Sequence, residues 1–343
     1  MNKIVSFIIP AYNAENFLAK CLDSLLVDKC LKDIEIIVVN DGSTDSTKNI
    51  AQKYQENFQY CITIINKENG GHGSAINYGV KKASGKYFRV LDSDDWIVSE
   101  NLEQQITILK ETNSDVIINN FHSYDIITQI YRLYSVDCEY CLQEISMDEL
   151  INVYSSLARN CSFHGISYNT EFYRKLNLLL TEKIFYDDNE FAIIPMLSAK
   201  SIKLIPISFY QYRIGDVNQS VAFPNQVKRI GNIEMVIKSI ISNYKSLEIE
   251  SASNTEYYLR QLSQLVVSYF AVALVKNQNK KDGRKIAKKM ISYLEINERR
   301  ILKRTSKKYS IMLFLNRMHL SQRLYQKLLD SKLYQFFLIK WIG

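Results

Sequence analysis

A chain of 343 residues that is 47% hydrophobic and 23% charged can bury a sizeable core, as one large domain or a domain with an appendage. Its net charge of +7 hides an asymmetry: residues 226–343 hold 23 Lys and Arg against 8 Asp and Glu, a net +15, while residues 1–225 carry a net −8. Six cysteines, Cys21, Cys30, Cys61, Cys138, Cys141 and Cys161, are too sparse for a disulfide scaffold at this length.

Residues 5–9 form a short apolar run stopped by Pro10, and residues 34–39 a β-branched run ended by Asn40-Asp41-Gly42. Both read as buried parallel strands. Between them, Phe17, Leu18, Cys21, Leu22, Leu25 and Leu26 recur at helical spacing. Ser43-Thr44-Asp45-Ser46 can cap a second helix over residues 47–57, ahead of a third strand at 61–65. A helix over 73–82 leads to a strand at 87–91, which ends in Asp92-Ser93-Asp94-Asp95-Trp96. This alternation predicts an α/β fold with a mostly parallel central sheet and a ligand beyond the carboxyl ends of its strands. Downstream, residues 115–119 predict a strand, 126–134 an inserted hairpin and 147–156 a helix. From about residue 227 the pattern is helical, with Ile230, Ile233, Ile237, Ile240 and Ile241 on one face and a later helix over 257–275.

The N-terminal residues show no secretory hydrophobic stretch, so a reduced, cytosolic protein is expected. No apolar run reaches the roughly 18 to 20 residues of a membrane span; residues 265–275, interrupted by Ser268, fit a buried helix instead. Cys138 and Cys141 have CxxC spacing without a second Cys or His pair at zinc-finger distance, and ordinary thiols are the better reading.

Three carboxylates at the end of an apolar strand are costly to bury unpaired, so they call for a divalent cation or a cationic ligand. Mg²⁺ or Mn²⁺ suits such a site. A solvated turn in which Asp94 or Asp95 caps the next helix is the alternative. Asn69-Gly70-Gly71-His72-Gly73-Ser74-Ala75-Ile76-Asn77 can bring backbone N–H groups to a diphosphate. It departs from a dinucleotide fingerprint, because Ile76 stands at the third glycine position and the segment follows the third strand rather than the first.

Taken in order, Ile8-Ile9-Pro10-Ala11-Tyr12-Asn13-Ala14-Glu15, Val38-Val39-Asn40-Asp41-Gly42-Ser43-Thr44-Asp45 and Asp92-Ser93-Asp94-Asp95 resemble the motifs of the family 2 glycosyltransferases. The resemblance covers about residues 1–220. It implies a GT-A fold and an inverting enzyme that moves one sugar from a UDP-sugar to a hydroxyl of a bacterial surface glycan, lipid-linked or on a glycoprotein. Residues 1–225 would be the catalytic domain, with a donor half of about 1–97 and an acceptor half of about 98–225, followed by a basic, mainly helical domain over 226–343.

By that resemblance Pro10, Ala11, Tyr12, Asn13, Glu15 and Asp41 hold the nucleoside, with Ser43 and Asp45 close by. Lys67, Gly71, His72, Asn77, Asp92, Ser93 and Arg213 complete the donor set; His72 fits a loop histidine as well as a donor contact. Asp92 and Asp94 match the family's DxD motif: Asp94 would be the direct ligand of Mn²⁺ or Mg²⁺ and Asp92 would contact ribose or the metal, with Asp95 supporting the metal's shell or positioning the acceptor and Trp96 on the acceptor side. Asp187-Asp188 resembles the family's Glu-Asp motif, which makes Asp188 the expected base and Asp187 a glutamate shortened by one methylene; a capped helix start is the plain alternative. Family members often carry Arg where this chain has Ile76, so Lys67 or Lys86 is the expected substitute. Tyr210-Gln211-Tyr212-Arg213 with Ser220 resembles a segment that folds over the donor, although an edge strand fits too. The Gln-x-x-Arg-Trp motif of processive synthases is absent from the sequence, which favours one sugar per encounter. A nucleotidyltransferase and a non-catalytic nucleotide-sugar-binding subunit are the rival readings.

The last third mixes cations with apolar residues, as in Lys280-Lys281-Asp282-Gly283-Arg284-Lys285 and Arg299-Arg300-Ile301-Leu302-Lys303-Arg304. Basic amphipathic helices suit an anionic membrane surface, here the inner face of the cell membrane. A solvated bundle or an oligomer contact comes second, and nucleic acid last.

Overall fold

The computed structural model describes residues 3–136, 139–216, 223–247, 249 and 251–319. Cys138 and Ser220 lie outside the described residues, as does the tail from 320 onward. The chain divides into two compact units, residues 1–216 and 217–343.

The first unit is α/β. Its strands are β1 (Val5–Ala11), β2 (Ile34–Asp41), β3 (Ile62–Lys67), β4 (Tyr87–Val90), β5 (Trp96–Ile97), β6 (Val116–Asp125), β7 (Tyr131–Tyr134), β8 (Glu144–Ile145), β9 (Ile166–Asn169) and β10 (Ile202–Ile214). Along the sheet the order is β3-β2-β1-β4-β9-β6-β10-β5, with β7 beside β6 and β8 beside β10. Strands β3, β2, β1 and β4 run parallel, as do β6 and β10, while β9 joins the two groups by antiparallel pairing with β4 and β6. The expected strand at 115–119 thus continues to Asp125 and turns back through β7 as the inserted hairpin. Tyr210 and Gln211 pair with β6 on one side and β5 on the other, while Tyr212 and Arg213 pair with β6.

Helices α1 (Leu18–Leu25), α2 (Thr47–Asn57), α3 (His72–Lys82) and α4 (Leu102–Glu111) cover the parallel part, and α5 (Met147–Leu157), α6 (Thr170–Lys175) and α7 (Asp188–Ile193) follow. Spacing makes α1: Leu18, Cys21, Leu22 and Leu25 fall on one face and are buried against Phe7 and Ile9 of β1 in the same core cluster. Each large aliphatic removed from water there stabilises by about 1.5–3 kcal/mol. Ile8 points to the opposite face, where α3 packs so closely that a Cβ at Gly79 would collide with its side chain. Because successive strand residues alternate between two covered faces, β1 and β2 read as unbroken apolar runs.

The second unit is helical in its described residues: α8 (Phe223–Lys228), α9 (Ile230–Ser246), α10 (Ala252–Phe270), α11 (Lys280–Asn297) and α12 (Arg299–Arg317). A π-helical stretch, Ala271–Lys276, prolongs α10 into a 25-residue helix with an 18-residue window of mean hydropathy 1.3. By length and composition that helix reaches what a membrane span needs, but 61% of its apolar window is buried within the structure, as in a bundle core. Glu298 accepts from Tyr258 and Arg300, and Tyr258 stacks on Tyr244 at 3.8 Å. Lys281, Lys285, Lys288 and Lys289 of α11 and Arg299, Lys303 and Lys307 of α12 are exposed.

Candidate active site

The loops after β1 and β2 are laced together by their own polar side chains. Asn13 adopts φ 50°, and its Oδ1 accepts from Thr44 N at 2.9 Å, while its N–H donates to Ser43 Oγ at 3.1 Å. Glu15 accepts from Ser46 N at 3.0 Å and donates its own N–H to Asp45 Oδ2 at 3.1 Å. Pro10 and Ala11 are buried at the end of β1, and Tyr12 stands 53% exposed beside them.

Asp41 ends β2 with a carboxylate that is already well partnered. Oδ1 accepts from Lys67 Nζ at 2.6 Å and Gly70 N at 2.9 Å, and Oδ2 from Gly71 N at 2.8 Å. Gly71 has φ 85°, which a side chain would strain, and Gly70 O accepts from Lys183 N at 2.7 Å. The glycine segment is therefore held between β2 and the loop preceding α7. Asn77, expected beside the donor, instead lies buried in α3, where its amide bonds both Leu180 N (2.9 Å) and Leu180 O (3.0 Å). Lys86 is also elsewhere: it precedes β4, at the end opposite the acidic turn, and donates to the carbonyls of Leu109 and Lys110.

The acidic turn leaves β4 beneath α3. Asp92 Oδ1 lies 3.0 Å from His72 Nε2, and Asp187 Oδ2 lies 2.7 Å from His72 Nδ1. One imidazole thus joins the end of β4 to the start of α7. Burial alone would lower the His72 pKa, but the Asp187 and Asp92 carboxylates outweigh it and hold that pKa well above the usual range. For Asp92 the balance runs the other way: burial would raise its pKa, yet the His72 charge and hydrogen bond bring it below the ordinary value.

Asp95 is 1% exposed. It accepts from Tyr210 Oη at 2.5 Å and Arg213 N at 2.7 Å, and Tyr210 Oη in turn accepts from Asp92 N at 3.2 Å. Burial and the neighbouring Asp94 and Asp92 charges push its pKa well up. Neither Asp94 nor Asp95 caps α4, which begins only at Leu102. Asp94 Oδ2 lies 3.7 Å from Arg213 Nη1, whose guanidinium also sits over the Phe17 ring at 4.6 Å, and Ser93 is half-buried beside them.

His164 was not anticipated from sequence. One ligand atom each from Asp92, Asp95 and His164 lie within 4.8 Å of one another. Burial lowers the His164 pKa to about 4, so its ring is neutral and able to ligate. Arg89 of β4, 1% exposed, donates to the His164 carbonyl, to Ser167 Oγ at 3.0 Å and to Asn119 Oδ1 at 3.3 Å, which fixes the segment carrying His164. Two carboxylates and a neutral imidazole suit a divalent cation, and the raised Asp95 pKa follows from its burial and from the neighbouring Asp94 and Asp92 charges. The one available signal was rarity: the chain has four histidines, and two of them, His72 and His164, meet here.

Asp187 is 2% exposed, whereas Asp188, the first residue of α7, is half-buried and bonded by Asn189 Nδ2 at 3.1 Å. Burial and the Asp187 charge raise the Asp188 pKa to about 7. Glu190 anchors this helix by accepting from Thr181 N and Oγ1, both at 2.7 Å. Gly73 leaves room for the arrangement, since a Cβ there would meet Thr181 O at 2.7 Å and Asp187 Oδ2 at 3.3 Å.

The family model for Glycosyl transferase family 2 matches residues 6–177. An uncharacterized glycosyltransferase of Rickettsia typhi is 42% identical over 163 residues, 46% of this chain and 49% of the relative, so the match spans about half of that relative's length. The uncharacterized glycosyltransferase EpsJ of Bacillus subtilis is 26% identical over 294 residues, 85% of each chain. Among solved structures, residues 1–349 of S. aureus TarS align with a TM-score of 0.63 at 18% identity over 93% of both chains, a likeness of fold. With half of its length matched by the family model, this chain belongs to glycosyl transferase family 2.

Proposed function

We propose that the protein is an inverting glycosyltransferase that moves one sugar from a UDP-sugar to a saccharide hydroxyl on a bacterial surface glycan, with Asp188 as base. The observation that carries this reading is the His72 bridge between Asp92 and Asp187, which brings an acidic cation-type cluster and a carboxylate of near-neutral pKa to one place. The TarS structures of similar fold include complexes with UDP and with UDP-GlcNAc, which supports a UDP-sugar as donor. Tyr12, Asp41 and the 70–73 backbone would line the nucleotide side, with Arg213 toward the phosphates.

Asp92, Asp95 and His164, with Asp94 beside them, would hold Mn²⁺ or Mg²⁺. When bound, the cation stabilises the charge that grows on the departing nucleoside diphosphate. Asp188 removes the proton from the acceptor hydroxyl as its oxygen bonds to the anomeric carbon and the bond to the diphosphate breaks on the opposite face. A pKa of about 7 suits that task near neutrality. The exposed cations of α11 and α12 would hold the enzyme on the inner, anionic face of the membrane, near a lipid-linked acceptor. Binding to anionic vesicles that is released by high salt is expected; equal binding to neutral vesicles contradicts it.

Thermal-shift titration of wild type and Asp92→Ala with UDP, GDP and CMP, each with and without Mn²⁺, tests the donor assignment. Stabilisation by UDP that requires both Mn²⁺ and Asp92 is expected. No stabilisation by any of the nucleotides would overturn the reading.

A further inference from the structure

Beside the acidic turn a cavity of about 500 Å³ opens between α1, β5 and the β6–β7 hairpin. Trp96, Tyr131, His122 and Gln211 line it together with the charged Lys20 and Asp23. A smaller cavity of about 160 Å³ contains Asp94, Asp95 and Arg213 and shares Lys20 and Trp96 with the first. Those two residues form the neck between them, with Lys20 Nζ 3.0 Å from the centre of the Trp96 ring.

The hairpin builds an aromatic ladder along the larger cavity. Trp96 meets Tyr124 edge-on at 5.9 Å, Tyr124 stacks with Tyr131 at 4.5 Å, and His122 lies 6.3 Å from Tyr131. Tyr131 is 56% exposed on β7, a four-residue strand whose partner in the sheet is β6. Its ring adds little to the core and stacks on Tyr124 beside a cavity of mixed polar and apolar lining. A pyranose presents an apolar C–H face and a rim of hydroxyls. Flat aromatic rings suit the first, and the carboxylate, ammonium and amide groups of Asp23, Lys20 and Gln211 suit the second. The larger cavity also falls in the roughly 300–1,000 Å³ range of small-molecule sites, more than a single ion or hydroxyl needs.

We infer that this cavity is an acceptor subsite for a glycan of a disaccharide or longer. The outer sugar lies on the Tyr131 ring in the larger cavity, and the chain runs from there past the neck at Lys20 and Trp96 toward the acidic turn. The inference rests on the glycosyltransferase reading and adds the acceptor class: an oligosaccharide chain rather than a free monosaccharide or a bare protein hydroxyl.

The test applies the full-length protein, with UDP and Mn²⁺, to an array of bacterial and homo-oligomeric glycans running from single sugars to hexasaccharides, alongside Tyr131→Ala and Tyr131→Phe. Retention on one or more glycans of disaccharide length or longer, and on none of the single sugars, is expected. Tyr131→Ala should weaken it roughly tenfold, as loss of a stacking partner does. Tyr131→Phe keeps the ring and should bind as wild type. No retention on any glycan, equal retention on single sugars, or undiminished binding by Tyr131→Ala overturns the subsite. Thermal stabilisation by UDP and Mn²⁺ is read on the same samples: if it persists while the glycans fail, only the subsite falls, and if it is absent the transferase reading falls with it.

Discussion

The turn after β4 and the start of α7 each bring a pair of carboxylates to the site, and a single histidine divides both pairs. At the turn, Asp92 faces His72 and is held in its charged form, while Asp95 is buried against Tyr210 with its pKa pushed well up. At α7, Asp187 takes the other ring nitrogen of His72, and Asp188 is left with a pKa of about 7. One imidazolium therefore answers one member of each pair and leaves the other with charge still to be met. At the turn that demand suits a cation, and at α7 it suits a proton.

The largest effect should come from removing the group that takes the proton. Asp188→Asn is expected to lower UDP release from a UDP-sugar and acceptor by roughly 10²–10⁴-fold while UDP and Mn²⁺ still stabilise the protein. Wild-type turnover in that variant would break the contrast between the pairs. His72→Asn sharpens it, because the His72 charge is one of the influences that lower the Asp188 pKa. Without it the acid limb of the pH–rate profile should move upward from about 7. An unmoved limb would mean that His72 carries no charge felt at Asp188.

A smaller effect tests the frame that holds α7 against α3. Asn77→Ala leaves both backbone groups of buried Leu180 without their amide partner, which should cost about 1–3 kcal/mol in denaturant unfolding. A further expected effect is a gain. The Asp188 pKa is raised from its usual 3.8 to about 7, so the folded state holds that proton more tightly than the unfolded chain does. Folding stability therefore falls as pH rises from the ordinary carboxylate value through about 7, and the cost is complete above it. Asp188→Asn should accordingly raise Tm at about pH 8 and leave it unchanged at about pH 4; an equal shift at both would show that Asp188 is not strained by its charge.

Sequence alone carried the parallel half of the sheet, since a strand covered on both faces must be apolar throughout and β1, β2 and β4 each end at a polar turn. It did not carry β9, four residues between β4 and β6 whose pairing depends on distant strands. Nor did it show that Tyr210 and Gln211 lie inside the sheet, because β10 takes its second partner there from the two-residue β5. Motif residues named the place more securely than the contact. Asn13 and Glu15 tie two loops together, Asn77 clamps Leu180, and both Asp41 oxygens are engaged by the glycine segment. His164 belongs to no periodic run, and only the fold sets it beside Asp92 and Asp95.

A crystal soaked with UDP and Mn²⁺, with data collected at the manganese edge, tests most directly whether the two carboxylate pairs serve one site. The account predicts anomalous density among Asp92, Asp95 and His164 and a nucleotide on the same side of the sheet as Asp188. Manganese or nucleotide bound away from the acidic turn would contradict it.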